Sequence, residues 1–164
     1  MYKPTLIDLN PEMETRAKDT DYAWAAGFIE ADGCIFLDRS ERARVHVIVV
    51  QKDRSCLERL QRIFGTNYTI HQVKRGTRRY WRLDVSSARA LNLLLKIYPY
   101  LEYKRVNAHQ AINLLLHIQE YRGRRGQGVK IPAAELQRRQ AMIDTGRLAV
   151  HAERLSESAP ALAG

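Results

Sequence analysis

Residues 22–39 read YAWAAGFIEADGCIFLDR, a helical pattern that ends on two carboxylates, Glu30 and Asp32, stops at Gly33 and gives way to an alternating strand. A helix C-terminus carries partial negative charge, so each carboxylate there is disfavoured by roughly 0.3–1 kcal/mol. A positive partner belongs at that end. On the same helix Ala23, Ala26 and Gly27 recur at helical spacing and lead to Glu30, a face that lets another backbone come very close. A mid-helix glycine costs about 1 kcal/mol against alanine, which argues for a packing role at Gly27. Trp24 and Phe28 fall on a different face, suited to a core.

A second constellation lies in residues 71–82, HQVKRGTRRYWR, where Lys74, Arg75, Arg78, Arg79 and Arg82 occur with no acid among them. A solvated face normally mixes signs, so this hairpin favours phosphate. In the strand that follows, Trp81, Leu83 and Val85 alternate with Tyr80, Arg82 and Asp84, so one set buries while the other faces outward. A β-ribbon enters the DNA major groove, where arginine and glutamine read base edges with two hydrogen bonds. An eight-residue strand spans about 26 Å, close to about eight base pairs, or one half-site. The candidate readers are Asp38, Ser40, Arg44, His46, Gln72, Lys74, Tyr80 and Arg82, with Arg75 and Arg78 at the hairpin tip. A slip of one residue in the third strand would expose His71 and Val73 instead. The five histidines (46, 71, 109, 117 and 151) have no close metal-ligand spacing, which argues against zinc. Cys34 and Cys56 read as small buried apolar residues.

These residues need a scaffold. The chain has 164 residues, 45% of them hydrophobic, enough for one domain with a real core. Lysine and arginine number 27 against 18 acids, a formal charge of +9 that suits a polyanion such as nucleic acid, though charge alone also admits a membrane surface or ribosomal RNA. No run approaches 18 apolar residues and MYKPTLIDLN lacks the apolar stretch of a signal peptide. A soluble intracellular protein is expected, in the cytoplasm or nucleoid or in an organelle, with no membrane partner.

Residues 1–18 read as an irregular arm. Asp19, Thr20 or Asp21 can cap a helix that runs to about Asp32. CIFLDRS and RVHVIVVQ predict a hairpin turning near Ser40 to Ala43, KDRSCLERLQRIFG a helix that stops at Gly65, and NYTIHQVK and RRYWRLDVS a second hairpin around RGT. Helical patterns return in SARALNLLLKIYPYL, checked at Pro99, and in YKRVNAHQAINLLLHIQEY to about Tyr121. The expected fold is α+β with the order αββαββα over residues 19–121. A four-stranded antiparallel sheet would bury one face under helices and leave the other free. A basic, glycine-rich linker over 122–132, a last helix over 133–155 and a tail over 156–164 complete the chain.

AAGFIEADG, Ala25 to Gly33, resembles the signature of the LAGLIDADG homing endonucleases, and the element order over roughly residues 20–120 is similar to that family's core. A single copy of the motif is similar to the subfamily that works as homodimers. The resemblance implies that two signature helices pack through Ala23, Ala26, Gly27 and Glu30, and that Asp32 binds divalent metal with the backbone carbonyl of Ala31 as second ligand. Two Asp32 carboxylates at two helix ends concentrate negative charge that a cation makes tolerable. Magnesium, or manganese in its place, suits such oxygen donors. The implied activity is metal-assisted hydrolysis of both strands of a long, nearly palindromic double-stranded DNA site, leaving 3′ overhangs. By the same resemblance Gln51 orders water, and Lys104 lies beside the scissile phosphate, with Lys52, Arg54 and Arg105 as alternatives. Ala25 departs from the family's usual leucine and Glu30 from its usual aspartate. An RNA-splicing maturase or a non-catalytic DNA-binding regulator on the same scaffold are the competing expectations.

Overall fold

The computed structural model of the chain describes residues 19–40, 43–65, 67–125 and 130–158. The arm expected over 1–18, part of the linker, the first turn at 41–42 and the end of the tail lie outside the described residues. Helix α1 (Asp19–Asp32) leads directly into strand β1 (Gly33–Asp38), which pairs with β2 (Arg44–Gln51). Helix α2 (Ser55–Phe64) stops at Gly65, whose φ of 111° suits a residue without a side chain. Strands β3 (Ile70–Arg75) and β4 (Arg78–Ser86) turn at Gly76 and Thr77, with φ of 62° at the glycine. Helix α3 (Ser87–Ile97) gives way to a 3-10 turn at Tyr98–Tyr100, as the proline at 99 requires, before α4 (Arg105–Arg125) and α5 (Ala133–Ser158).

The sheet order is β1-β2-β4-β3, antiparallel throughout, so the two hairpins abut through their second strands. Val45, Val47 and Val49 of β2, with Ile35, Leu37, Leu83 and Val85 beside them, turn one face into an apolar floor. Helices α1 to α4 close over that floor with Ile29, Leu57, Leu60, Leu93, Leu94, Ile97, Ala108 and Leu114, all essentially inaccessible. The expected αββαββα core is present, with helices on one face.

Two boundaries differ from the sequence reading. Helix α4 continues to Arg125, taking the first residues assigned to the linker, since arginine is a good helix former. Helix α5 reaches Ser158 rather than 155. The helix that begins at Ser87 is checked at Pro99 as expected, ending at Ile97 before the 3-10 turn.

Helix α5 is fastened at two places. Glu135 Oε1 accepts from Arg139 Nε at 2.7 Å and pairs with His117 Nε2 of α4 at 2.9 Å, and the Arg139 guanidinium lies over the Tyr121 ring. Arg139 is 1% exposed and Glu135 9%. Further along, Arg147 donates to the Leu37 carbonyl at 3.1 Å and Asp144 pairs with Arg39 at 3.2 Å, so α5 also grips the first hairpin. Among the described residues no helix is long and apolar enough to cross a membrane.

Candidate functional site

The positive partner demanded by the end of α1 is Lys104. Its ammonium donates to the carbonyls of Ile29 (2.9 Å) and Glu30, which the helix end leaves without intrahelical donors, and to that of Gly33 (2.7 Å), the first residue of β1. In return, Glu30 Oε1 accepts from the backbone N–H groups of Glu102 and Lys104. Glu30 and Lys104 thus clamp the α1–β1 junction to the loop before α4. Gly33 is required there for space, since a Cβ would lie 2.8 Å from the Ile29 carbonyl oxygen that Lys104 uses. Burial pushes the Lys104 pKa below the usual lysine value, although Cys34, Glu30 and Asp32 nearby act to raise it.

Asp32 and Ala31 are both exposed just beyond this clamp, and neither is used by Lys104. Gln51 ends β2 two residues past Val49, which stands opposite Gly33, so Gln51 lies at the same end of the sheet and on its helix-facing side. Of the alternatives to Lys104, Arg54 is held over the Trp81 ring and paired with Glu58, and Arg105 lies over Tyr98. Lys52 is exposed and lines one surface hollow with Arg78, Arg79 and Tyr80.

The small-residue face of α1 is narrower than its sequence suggests. Ala23, Gly27 and Ala31 are exposed at four-residue spacing and Glu30 is half-buried, but Ala26 is fully buried with Ala25 and Ile29 in this chain's own core. Ala26 is therefore a correction to the expected interface set: at 100° per residue it rotates away from Gly27 and toward the sheet. A Cβ on Gly27 would meet nothing within 4 Å.

On the sheet, cross-strand register decides which residues share a face. His71, Val73 and Arg75 stand opposite Arg82, Tyr80 and Arg78, whereas Gln72 and Lys74 stand opposite Trp81 and Arg79. The third strand is thus in the alternative register to the one first chosen. Gln72 and Lys74 leave the free-face set and lie on the helix side, exposed beyond the helices, while His71 and Val73 join Tyr80 and Arg82. The free face also carries Arg44, His46, Ile48, Val50, Asp84 and, on β1, Cys34, Phe36 and Asp38. Cys34 is exposed there rather than buried, a second correction, because alternation along β1 gives the interior to Ile35 and Leu37. Asp38 accepts from the backbone and hydroxyl of Ser40 at 3.0 and 2.6 Å, bonds that hold its carboxyl below the usual range.

Asp84, not among the chosen readers, stands inside this face. It pairs with His46 Nδ1 at 2.9 Å and accepts from Arg82 at 2.6 Å. Burial acts to raise its pKa, but the bonds from His46 and Arg82 and their charges outweigh burial, so the carboxyl stays below the usual range. The signal for it was the alternation with Tyr80 and Arg82.

An acid-bearing helix end beside a small-residue face, above a sheet whose free side carries arginine and histidine, is the frame of the site in this α+β domain. The family model of the LAGLIDADG endonucleases matches residues 25–121, more than half of the chain, and the chain belongs to that family. The homing endonuclease I-CvuI bound to its target with calcium aligns at 21% identity and a TM-score of 0.51, covering 79% of this chain and 96% of that one. The same enzyme on the I-CreI target with magnesium, its DNA not cleaved, aligns at 22% identity, a TM-score of 0.49, and 77% and 96% coverage. The archaeal intron-encoded I-Vdi141I, complexed with DNA, aligns at 17% identity, a TM-score of 0.41, and 79% and 98% coverage. No curated protein matches the chain.

Proposed function

We propose that this chain is a homodimeric, divalent-metal-dependent DNA endonuclease that makes a double-strand break with 3′ overhangs in a long, nearly palindromic target. The observation that carries the reading is the end of α1. There Asp32 and Ala31 are exposed at one rim of the Ala23–Gly27–Ala31 stripe, and the helix end behind them is tied down by Lys104.

Among the described residues no three histidine, cysteine or acidic side chains gather as a ready-made metal cage. The donor set of one chain, a carboxylate and a backbone carbonyl, fits a hard cation as half of a shared site, and a second copy packed through the stripe supplies the other half. Asp32 and the Ala31 carbonyl would hold magnesium or manganese there. Such an ion supplies charge stabilisation and a more acidic water. Lys104 fixes the helix end that carries both ligands and adds positive charge beside them. Gln51, an amide with both donors and an acceptor, orients water at the same end of the sheet. Arg44, His46, Tyr80 and Arg82 on the free face, with Arg75 and Arg78 at the tip, face the DNA.

Asp32→Asn separates this reading from a maturase or regulator. Cleavage of a bound target in magnesium should fall below detection, while binding holds or tightens, because a negative charge near phosphate is removed. Full activity in Asp32→Asn would refute the assignment, and wild-type binding that is indifferent to divalent metal and yields no cut would move the chain to a non-cleaving role.

A further inference from the structure

The centre of the free sheet face is a small ionic network. Arg82 lies between Val50 and His71 across the strands, Asp84 lies opposite Ile48, and His46 lies between Phe36 and Ser86. Both carboxylate oxygens of Asp84 are used, Oδ1 by His46 Nδ1 and Oδ2 by the Arg82 guanidinium. All three side chains are only a fifth to a third exposed. Arg82 Nε is buried with no acceptor, so the bond from the guanidinium's Nη2 to Asp84 is what orients it.

We infer that Asp84 is a specificity-determining positioning residue, which touches no DNA itself but presents Arg82 and His46 to base edges in fixed orientations. This deepens the proposed reading of the sheet as a DNA-binding face and rests on it. An ionised carboxylate only accepts, so His46 Nδ1 must donate to it, which leaves Nε2 of the neutral ring an acceptor. Held this way, His46 suits the amino hydrogen of adenine or cytosine. The guanidinium, a planar fork with its remaining N–H groups directed by the Asp84 bond, suits the paired O6 and N7 acceptors of guanine. Without Asp84 a long flexible arginine turns equally well to phosphate, which carries no sequence information. The Arg82 guanidinium neutralises the carboxylate, so it can stand on a face that meets polyanion without repelling it.

The test is a binding selection from a random DNA library with the full chain in calcium. It compares wild type, Asp84→Ala, Asp84→Asn and, should Asp84→Ala fold poorly, Arg82→Lys, which keeps the charge but loses the fork. Wild type should recover a symmetric site with a strong guanine preference at one position of each half. Asp84→Ala and Arg82→Lys should lose about tenfold or more of the discrimination at that position, with Asp84→Ala binding unrelated DNA as well or better. Asp84→Asn, which keeps one acceptor, should fall between. Unchanged base preferences in Asp84→Ala or Arg82→Lys would overturn the inference and leave the DNA reading intact. A wild-type chain that recovers no sequence would overturn the DNA reading, and this inference with it.

Discussion

At the scale of single residues the α1–β1 junction is the most tightly determined point of the molecule. Gly33 admits no side chain because the Ile29 carbonyl lies against it, and that carbonyl is one of three held by Lys104. Gly33→Ala should therefore destabilise the fold by about 1–3 kcal/mol, as overpacking does, lowering the melting temperature by roughly 2–4 °C per kcal/mol in a calorimetric scan. An unchanged melt would mean the junction is looser than the 2.8 Å approach implies. The motif itself was readable because it is local: small residues, two acids and a glycine within nine positions. That a positive group must meet the helix end also followed from the sequence, by the helix dipole. Lys104 as that group did not, because its acceptors lie 71 to 75 residues away and only the tertiary fold joins them.

At the scale of elements, alternation predicted β4 well because it carries a clear apolar set at two-residue spacing, while β2, apolar on nearly every residue, was legible from its β-branched content. Strand β3 has no such set. In IHQVKR the two apolar residues, Ile70 and Val73, are three apart, so they cannot share a face and the strand's own pattern leaves register open. Register is instead set by the two-residue turn at Gly76 and Thr77 and by the pairing with β4, which is why Gln72 and Lys74 changed sides. Helix α5 poses the opposite case, since its polar surface hides a buried ionic latch. Glu135→Gln should leave the Arg139 charge without its carboxylate in an almost inaccessible position, at a loss of about 3–5 kcal/mol. Hydrogen exchange should then accelerate along α5 and in the first hairpin that Arg147 and Asp144 hold, while α2 and α3 keep their protection. Uniform acceleration over the whole chain would contradict a separable α5.

For the whole molecule, the proposed function makes the arrangement half of a dimer. One face of the sheet is closed by helices, the other carries the charge, and α1 exposes small residues with its acid at their rim. Gly27→Leu should leave the monomer fold intact, since a side chain there meets nothing within 4 Å, yet sedimentation should show the dimer lost. A retained dimer would sink the close-packing role of the stripe. The αββαββα order and the four-stranded sheet were readable from periodicity and punctuation, and the single motif from its resemblance to the family signature. The true width of the stripe was not, because Ala26 reads as interface by size and only its rotation about the α1 axis toward the sheet buries it. The most direct test of the central claim is incubation of the purified chain with a random DNA library in magnesium, followed by sequencing of the cut ends. One long near-palindrome cut on both strands with staggered 3′ ends is the outcome predicted here. Sequence-specific binding without cutting in any divalent metal would contradict it.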